Sequence, residues 1–214
     1  MKRILLIAFI LSITAITACT KHYKYRSCYV GCYYIPKSLT AKVSGKSPNF
    51  EISVVPTYGT CYNLKLGSSQ QGEEYSKYAE YYGDTNFMRD DDDYGGVDVS
   101  CNPLASISVT CNQDWDSEHP AETVLNDLIA TDVQSFKKKL ESGYKESSNF
   151  FYYNRLTDID YTSIRPYGKV IYLYMPSSAG KQGKYEFTIA VGFDEDPITG
   201  KKVSVEPVTV EIEF

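Results

Sequence analysis

The sequence predicts a mainly β protein, an antiparallel sandwich with a short helical insertion in the middle of the chain. Three observations lead there. Runs of period-two alternation recur along the chain, each closed by Gly or Pro. Tyrosine is abundant, 20 residues beside 9 phenylalanines and 1 tryptophan, and it suits half-buried strands, where the ring packs on the sheet and the hydroxyl reaches water. Helical periodicity is confined to one central region.

In chain order, "LTAKVSG" (39–45), "FEISVVP" (50–56) and "CYNLKLG" (61–67) read as strands. Residues 68–96 are polar and contain "DDDDYGG", a loop by composition. "VDVSCNPLASISVTCN" (97–112) gives one or two strands interrupted at Pro103. "HPAETVLNDLI" (119–129) then predicts a helix, with Pro120 in its first turn and Val124, Leu125, Leu128 and Ile129 on one face. Asp132 is placed to cap a second helical stretch, "VQSFKKKLESG" (133–143), in which Phe136 and Leu140 are four apart. Residues 144–160 form an aromatic loop or short strand. "KVIYLYMP" (169–176), "KYEFTIAVGF" (184–193) and "KVSVEPVTVEIEF" (202–214) close the chain as strands. The last two are joined by the turn-rich "DEDPITGKK", and Pro207 interrupts the final one. Such regular spacing favours a sandwich over a parallel sheet.

The start of the chain has a different logic. Met1-Lys2-Arg3 is followed by an apolar run from Ile4 to Ile16 and then Thr17-Ala18-Cys19, the order of a secretory signal. The run is too short for a spanning helix, which needs about 20 apolar residues. Ile16-Thr17-Ala18-Cys19 resembles the lipobox of bacterial lipoproteins, with Ile16 where leucine is usual. That resemblance implies a lipidated Cys19 as the mature N-terminus. Residues 1–18 are therefore expected to be a lipoprotein signal peptide, 19–36 the lipidated cysteine and a tether, and 37–214 a single β-rich domain. The basic Lys21, Lys24 and Arg26 of the tether suit anionic headgroups.

A net charge of −5 argues against nucleic acid, whose phosphates need clustered Lys and Arg. Apart from Cys19 there are five cysteines, Cys28, Cys32, Cys61, Cys101 and Cys111, and an exported compartment permits disulfides. Two bridges with one thiol over are expected, and spacing leaves the pairing open. A zinc site is disfavoured, because the only histidines are His22 and His119 and no C-x-x-C occurs.

Three groups of residues are candidates for chemistry. The pairs Tyr33 and Tyr34, Tyr81 and Tyr82, and Tyr152 and Tyr153 beside Phe151, could form aromatic contacts for glycans or peptides, although strand packing accounts for most tyrosines. Asp90, Asp91, Asp92 and Asp93, flanked by Asp84 and Asp98, offer the oxygen ligands calcium prefers. The run fails as an EF-hand, since counting from Asp90 puts Tyr94 at position five and Cys101 at position twelve, and a solvated acidic loop is favoured. His119 with Asp114, Asp116 and Glu118 beside Trp115 offers a general acid/base or metal ligand in its sharpest reading and a polar loop in its plainest. No nucleophile elbow, H-E-x-x-H, phosphate loop or dinucleotide fingerprint occurs.

The stretches "LASISVTCNQDWDSEHPAETVLNDLI" and "GKYEFTIAVGFDEDPITGKKVSVEPVTVEIEF" resemble a group of uncharacterised envelope lipoproteins of Bacteroides-type bacteria. The closing hairpin is similar to the last strands of immunoglobulin-like or transthyretin-like domains. The resemblance implies an immunoglobulin-like sandwich in the outer membrane, lipid-anchored on the periplasmic face or the cell surface, and it carries no assigned activity. The expectation is a non-enzymatic binding or assembly module without a cofactor, whose partners are the membrane and a glycan or envelope protein. The alternatives are a pilus-like component acting by strand addition and a carboxylate-based hydrolase.

Overall fold

A computed structural model of the chain describes residues 25–46, 49–64, 72–89, 96–145, 151–176 and 181–214. Cys19 and the signal lie outside the described residues. The element order is β1 (Tyr25–Ser27), β2 (Val30–Lys46), β3 (Asn49–Asn63), α1 (Glu73–Tyr81), β4 (Phe87–Arg89), β5 (Val97–Ser100), β6 (Leu104–Cys111), β7 (Ala130–Ser135), α2 (Lys137–Glu141), β8 (Phe151–Arg155), β9 (Tyr167–Tyr174), β10 (Lys184–Phe193) and β11 (Val208–Glu213). Six strands form one sheet in the order β5-β2-β3-β9-β7-β8, three form another in the order β11-β10-β6, and β1 pairs with β4. All pairings are antiparallel except β2 with β5. The protein is a mainly β sandwich with little helix.

Alternation builds the sandwich. On β10, Tyr185, Phe187, Ile189, Val191 and Phe193 point inward, and β6 adds Leu104, Ile107 and Val109. They meet Ile52 and Val54 of β3, Val133 of β7 and Ile171 and Leu173 of β9 in one core. Each such side chain contributes about 1.5–3 kcal/mol on burial. Trp115 packs its ring against Tyr185, Phe187 and Phe214 at the edge of this core.

A second core covers the β2–β5 side of the large sheet. Here α1 lays Tyr75, Tyr78 and Ala79 onto Val30, Tyr33, Val99, Cys101 and Phe136. The helix lies within the stretch expected to be irregular, residues 68–96. Its buried face is made of tyrosines at i, i+3 and i+7, Tyr75, Tyr78 and Tyr82, which composition reads as polar. Glu73 and Glu74 favour its positive N-terminal end and pair with Lys77 at 3.0 and 3.1 Å. Gly83 ends it at φ +71°.

The helix expected over 119–129 does not form. Glu122 takes φ +65°, Thr110 bridges Val124, and Leu125 N–H bonds to Val109 O at 2.8 Å. The open edge of β6 thus captures this backbone, and Asn126 completes the capture by bonding Val109 N–H and Ile107 O. Leu125 and Ile129 are buried all the same, whereas Val124 is exposed. The second stretch is helical only over α2. Its first residues belong to β7, where Asp132 accepts the Tyr174 hydroxyl instead of capping a helix.

The N-terminal strands also extend further than expected. β2 and β3 form one long hairpin, with register shifts at Pro36, so residues 25–36 belong to the fold rather than to a tether. Cys32 is bonded to Cys61, which removes the alternative of a Cys28–Cys32 bridge. Cys28 is buried, and Cys101 and Cys111 are buried thiols. Burial pushes the Cys101 thiol up to about 12. Among the described residues no helix is long and apolar enough to cross a membrane.

Candidate functional site

The outer face of the six-stranded sheet carries the exposed aromatic residues of β8. Alternation along β8 turns Tyr152 toward the core and leaves Phe151 and Tyr153 outward, 37% and 69% exposed. On β9 the same rule buries Ile171 and Leu173 and turns Tyr172 and Tyr174 outward. β7 lies between these two strands, which puts β8 and β9 roughly 9.5 Å apart. Their rings nevertheless meet, Phe151 with Tyr172 at 5.5 Å and Tyr153 with Tyr174 at 6.3 Å between centroids. The short Ala130 and Asp132 on β7, paired with Tyr174 and Tyr172, leave room for the rings to lean over the central strand.

Polar groups sit among the rings. The Tyr174 hydroxyl donates to Asp132 Oδ2 at 2.8 Å. Burial and this bond push the Tyr174 phenol up to about 12, so it stays a neutral donor at physiological pH. Asp132 Oδ1 takes no hydrogen bond among the described residues. Glu51 and Ser53 of β3 stand opposite Tyr174 and Tyr172, which continues the face with a carboxylate and a hydroxyl. Aromatic faces beside carboxylates suit a ligand with flat C–H faces and a rim of hydroxyls: the ring quadrupole attracts the C–H hydrogens and the carboxylates accept the hydroxyls.

Most of the other candidate tyrosines are elsewhere and otherwise engaged. Tyr33 and Tyr34 are fully buried, which removes them from any surface contact. Tyr33 packs on Tyr75, Tyr78 and Tyr82, and Tyr34 stacks on Tyr58 at 4.2 Å while donating to Gly168 O at 2.7 Å. Tyr82 is half-buried in that stack. Tyr81 is 56% exposed on α1, apart from the β8–β9 face.

Asp90, Asp91, Asp92 and Asp93 lie outside the described residues. The flanking carboxylates are committed to the fold. Asp84 is fully buried and accepts Tyr29 N–H, Val30 N–H and the Tyr144 hydroxyl. Asp98 accepts the Tyr58 hydroxyl at 2.6 Å and Lys169 Nζ at 3.0 Å. Among the described residues no cluster of three or more acidic, His or Cys side chains is arranged to hold a metal.

His119 is clamped from both sides. Nδ1 lies 2.7 Å from Asp116 Oδ1 and Nε2 lies 3.1 Å from Asp127 Oδ2. The two carboxylates hold the imidazolium, raising its pKa and lowering that of Asp116. When protonated, His119 donates from both nitrogens and has no free lone pair to act as a base or metal ligand. Asp114 accepts Ala121 N–H at 2.7 Å, and Asp116 also accepts Glu118 and His119 N–H, so the acidic group knits a loop. Asp127, which sequence spacing does not associate with His119, arrives through the turn that replaces the expected helix.

No family model, curated protein or solved structure matches the chain.

Proposed function

We propose that the protein is a lipid-anchored module of the bacterial outer envelope that binds carbohydrate on the β8–β9 face. The observation that carries this reading is the ledge in which exposed Phe151 and Tyr153 lean on half-buried Tyr172 and Tyr174 with Asp132 among them, a run of rings on rigid strands that faces outward rather than into the core. The lipobox-like Cys19 would hold the domain at a bilayer, each buried methylene of its chains adding about 0.8 kcal/mol. Catalysis by paired carboxylates would want one acid raised in a cleft. The displaced carboxyls Asp116 and Asp160 instead move down, held by hydrogen bonds.

Two experiments test the reading. A panel of soluble oligosaccharides with different linkages, titrated into the protein, should yield at least one ligand whose saturation protects the β8 and β9 tyrosines. Absence of any binding across the panel contradicts it. Mass spectrometry of the protein from its native membrane should find an acylated Cys19 at the N-terminus, and an unmodified chain cleaved elsewhere contradicts the anchor.

A further inference from the structure

Strand register lines up one outward residue from each of five neighbouring strands. Lys42 of β2 stands opposite Ser53 of β3, Ser53 opposite Tyr172 of β9, Tyr172 opposite Asp132 of β7, and Asp132 opposite Tyr153 of β8. Their chain neighbours Ile52, Val54, Val133, Ile171 and Leu173 point into the core, so the row lies on the outer face. Four strand spacings make it roughly 19 Å long. Beside it runs a second row, Ser44, Glu51, Tyr174, Ala130 and Arg155 in the same strand order. Neither row contributes a residue to the two cores.

The rows differ in what their polar tips do. In the second, the Ser44 hydroxyl donates to Glu51 Oε1 at 3.3 Å, the Tyr174 hydroxyl to Asp132 Oδ2 at 2.8 Å, and Arg155 Nη1 to Asp127 O at 3.2 Å. In the first, Lys42 Nζ, Asp132 Oδ1 and the Tyr172 and Tyr153 hydroxyls take no hydrogen bond among the described residues. Lys42 and Tyr153 are exposed, and Ser53, Tyr172 and Asp132 are half-buried. The second row is therefore tied into the protein, whereas the first keeps an ammonium at one end, a carboxylate oxygen near the other and two phenols free.

We propose that the first row binds the interior of an unbranched polysaccharide laid across the strands from β8 to β2. The inference rests on the carbohydrate reading and adds to it the length and course of the ligand. A site for a chain end gathers its groups around one sugar, but here they stand in line on an open sheet. About four six-membered sugar rings in an extended chain cover the row, one for each strand interval. Tyr153 and Tyr172 offer ring faces to the sugar C–H faces, Asp132 accepts hydroxyls between them, and Lys42 donates to a hydroxyl at the far end.

The test titrates the full chain calorimetrically with unbranched gluco-, manno- and xylo-oligosaccharides of two, four and six units. In at least one series affinity should rise about tenfold or more from two units to four, and by less than about threefold from four to six. Lys42→Ala should remove most of the gain between two and four units. Ser44→Ala, whose lost hydroxyl is spent on Glu51, should keep it. Methylation of the reducing end should leave the affinity of the six-unit compound unchanged, because the row does not read a chain end. A disaccharide that binds as tightly as the hexasaccharide, full gain in Lys42→Ala, or loss of binding on methylation would each overturn the row and leave carbohydrate binding standing. No binding in any series would overturn the row together with the carbohydrate reading.

Discussion

Asp84 Oδ2 accepts the main-chain N–H of Val30 at 2.8 Å across 54 residues of sequence, with the carboxylate fully buried. Its other oxygen takes Tyr29 N–H at 2.7 Å and the Tyr144 hydroxyl at 2.9 Å. One side chain thus ties the start of β2 to the end of α1 and to the turn after α2. Asp84→Ala should destabilise the fold by about 2–4 kcal/mol, because two main-chain donors lose their acceptor in the interior. For a domain of this size that lowers Tm by roughly 5–15 °C. Thermal unfolding by circular dichroism reads it, and an unchanged Tm would show that the carboxylate is dispensable.

The Cys32–Cys61 bridge closes a long loop between β2 and β3, with a sequence separation of 29. Loop-closure entropy puts its contribution at about 3–4 kcal/mol. Reduction, or the Cys32→Ser/Cys61→Ser double substitution, should lower Tm by roughly 6–16 °C. Cys101, whose thiol burial has pushed up to about 12, should resist alkylation at pH 8 until the protein unfolds. Peptide mapping after iodoacetamide treatment of native and denatured protein separates the two states.

The His119 clamp imposes a pH dependence. The folded pKa of His119 lies above its ordinary 6.5, chiefly through the bond to Asp116, so its contribution is complete below pH 6.5 and is lost as pH rises through the folded value. The pKa of Asp116 lies below its ordinary 3.8, so its contribution is present above that value and lost as pH falls through the folded one. The clamp is therefore strongest between about pH 4 and 6.5. His119→Gln should lower Tm most below pH 6.5 and flatten its decline as pH rises above 6.5. Equal slopes in the two proteins would mean that the imidazolium is not held by its neighbours.

How far the sequence revealed this molecule depends on whether local or distant residues decide an element. "KYEFTIAVGF" alternates strictly, and β10 occupies the residues it marks, because both its neighbours reward the same face. α1 is obscured because tyrosine, usually half-exposed, here makes the buried face. The periodicity of Val124, Leu125, Leu128 and Ile129 is present in the sequence, but the unsatisfied edge of β6 outcompetes the local helix. The aromatic ledge was half legible. Phe151 and Tyr153 stand out as a cluster, whereas Tyr172 and Tyr174 reach them only because β7 inserts between β8 and β9, a non-local pairing that spacing does not encode.

Carbohydrate binding at the ledge is tested most directly by calorimetric titration of the tightest oligosaccharide into the native protein and into Tyr153→Ala. The ring is exposed, so the substitution should move stability by no more than about 0.5 kcal/mol. Loss of one stacking face should weaken binding about tenfold, or 1.4 kcal/mol. Tyr81→Ala, at another exposed tyrosine that lies on α1, should bind as the native protein does. Equal affinity of Tyr153→Ala and the native protein would contradict the ledge as the binding site.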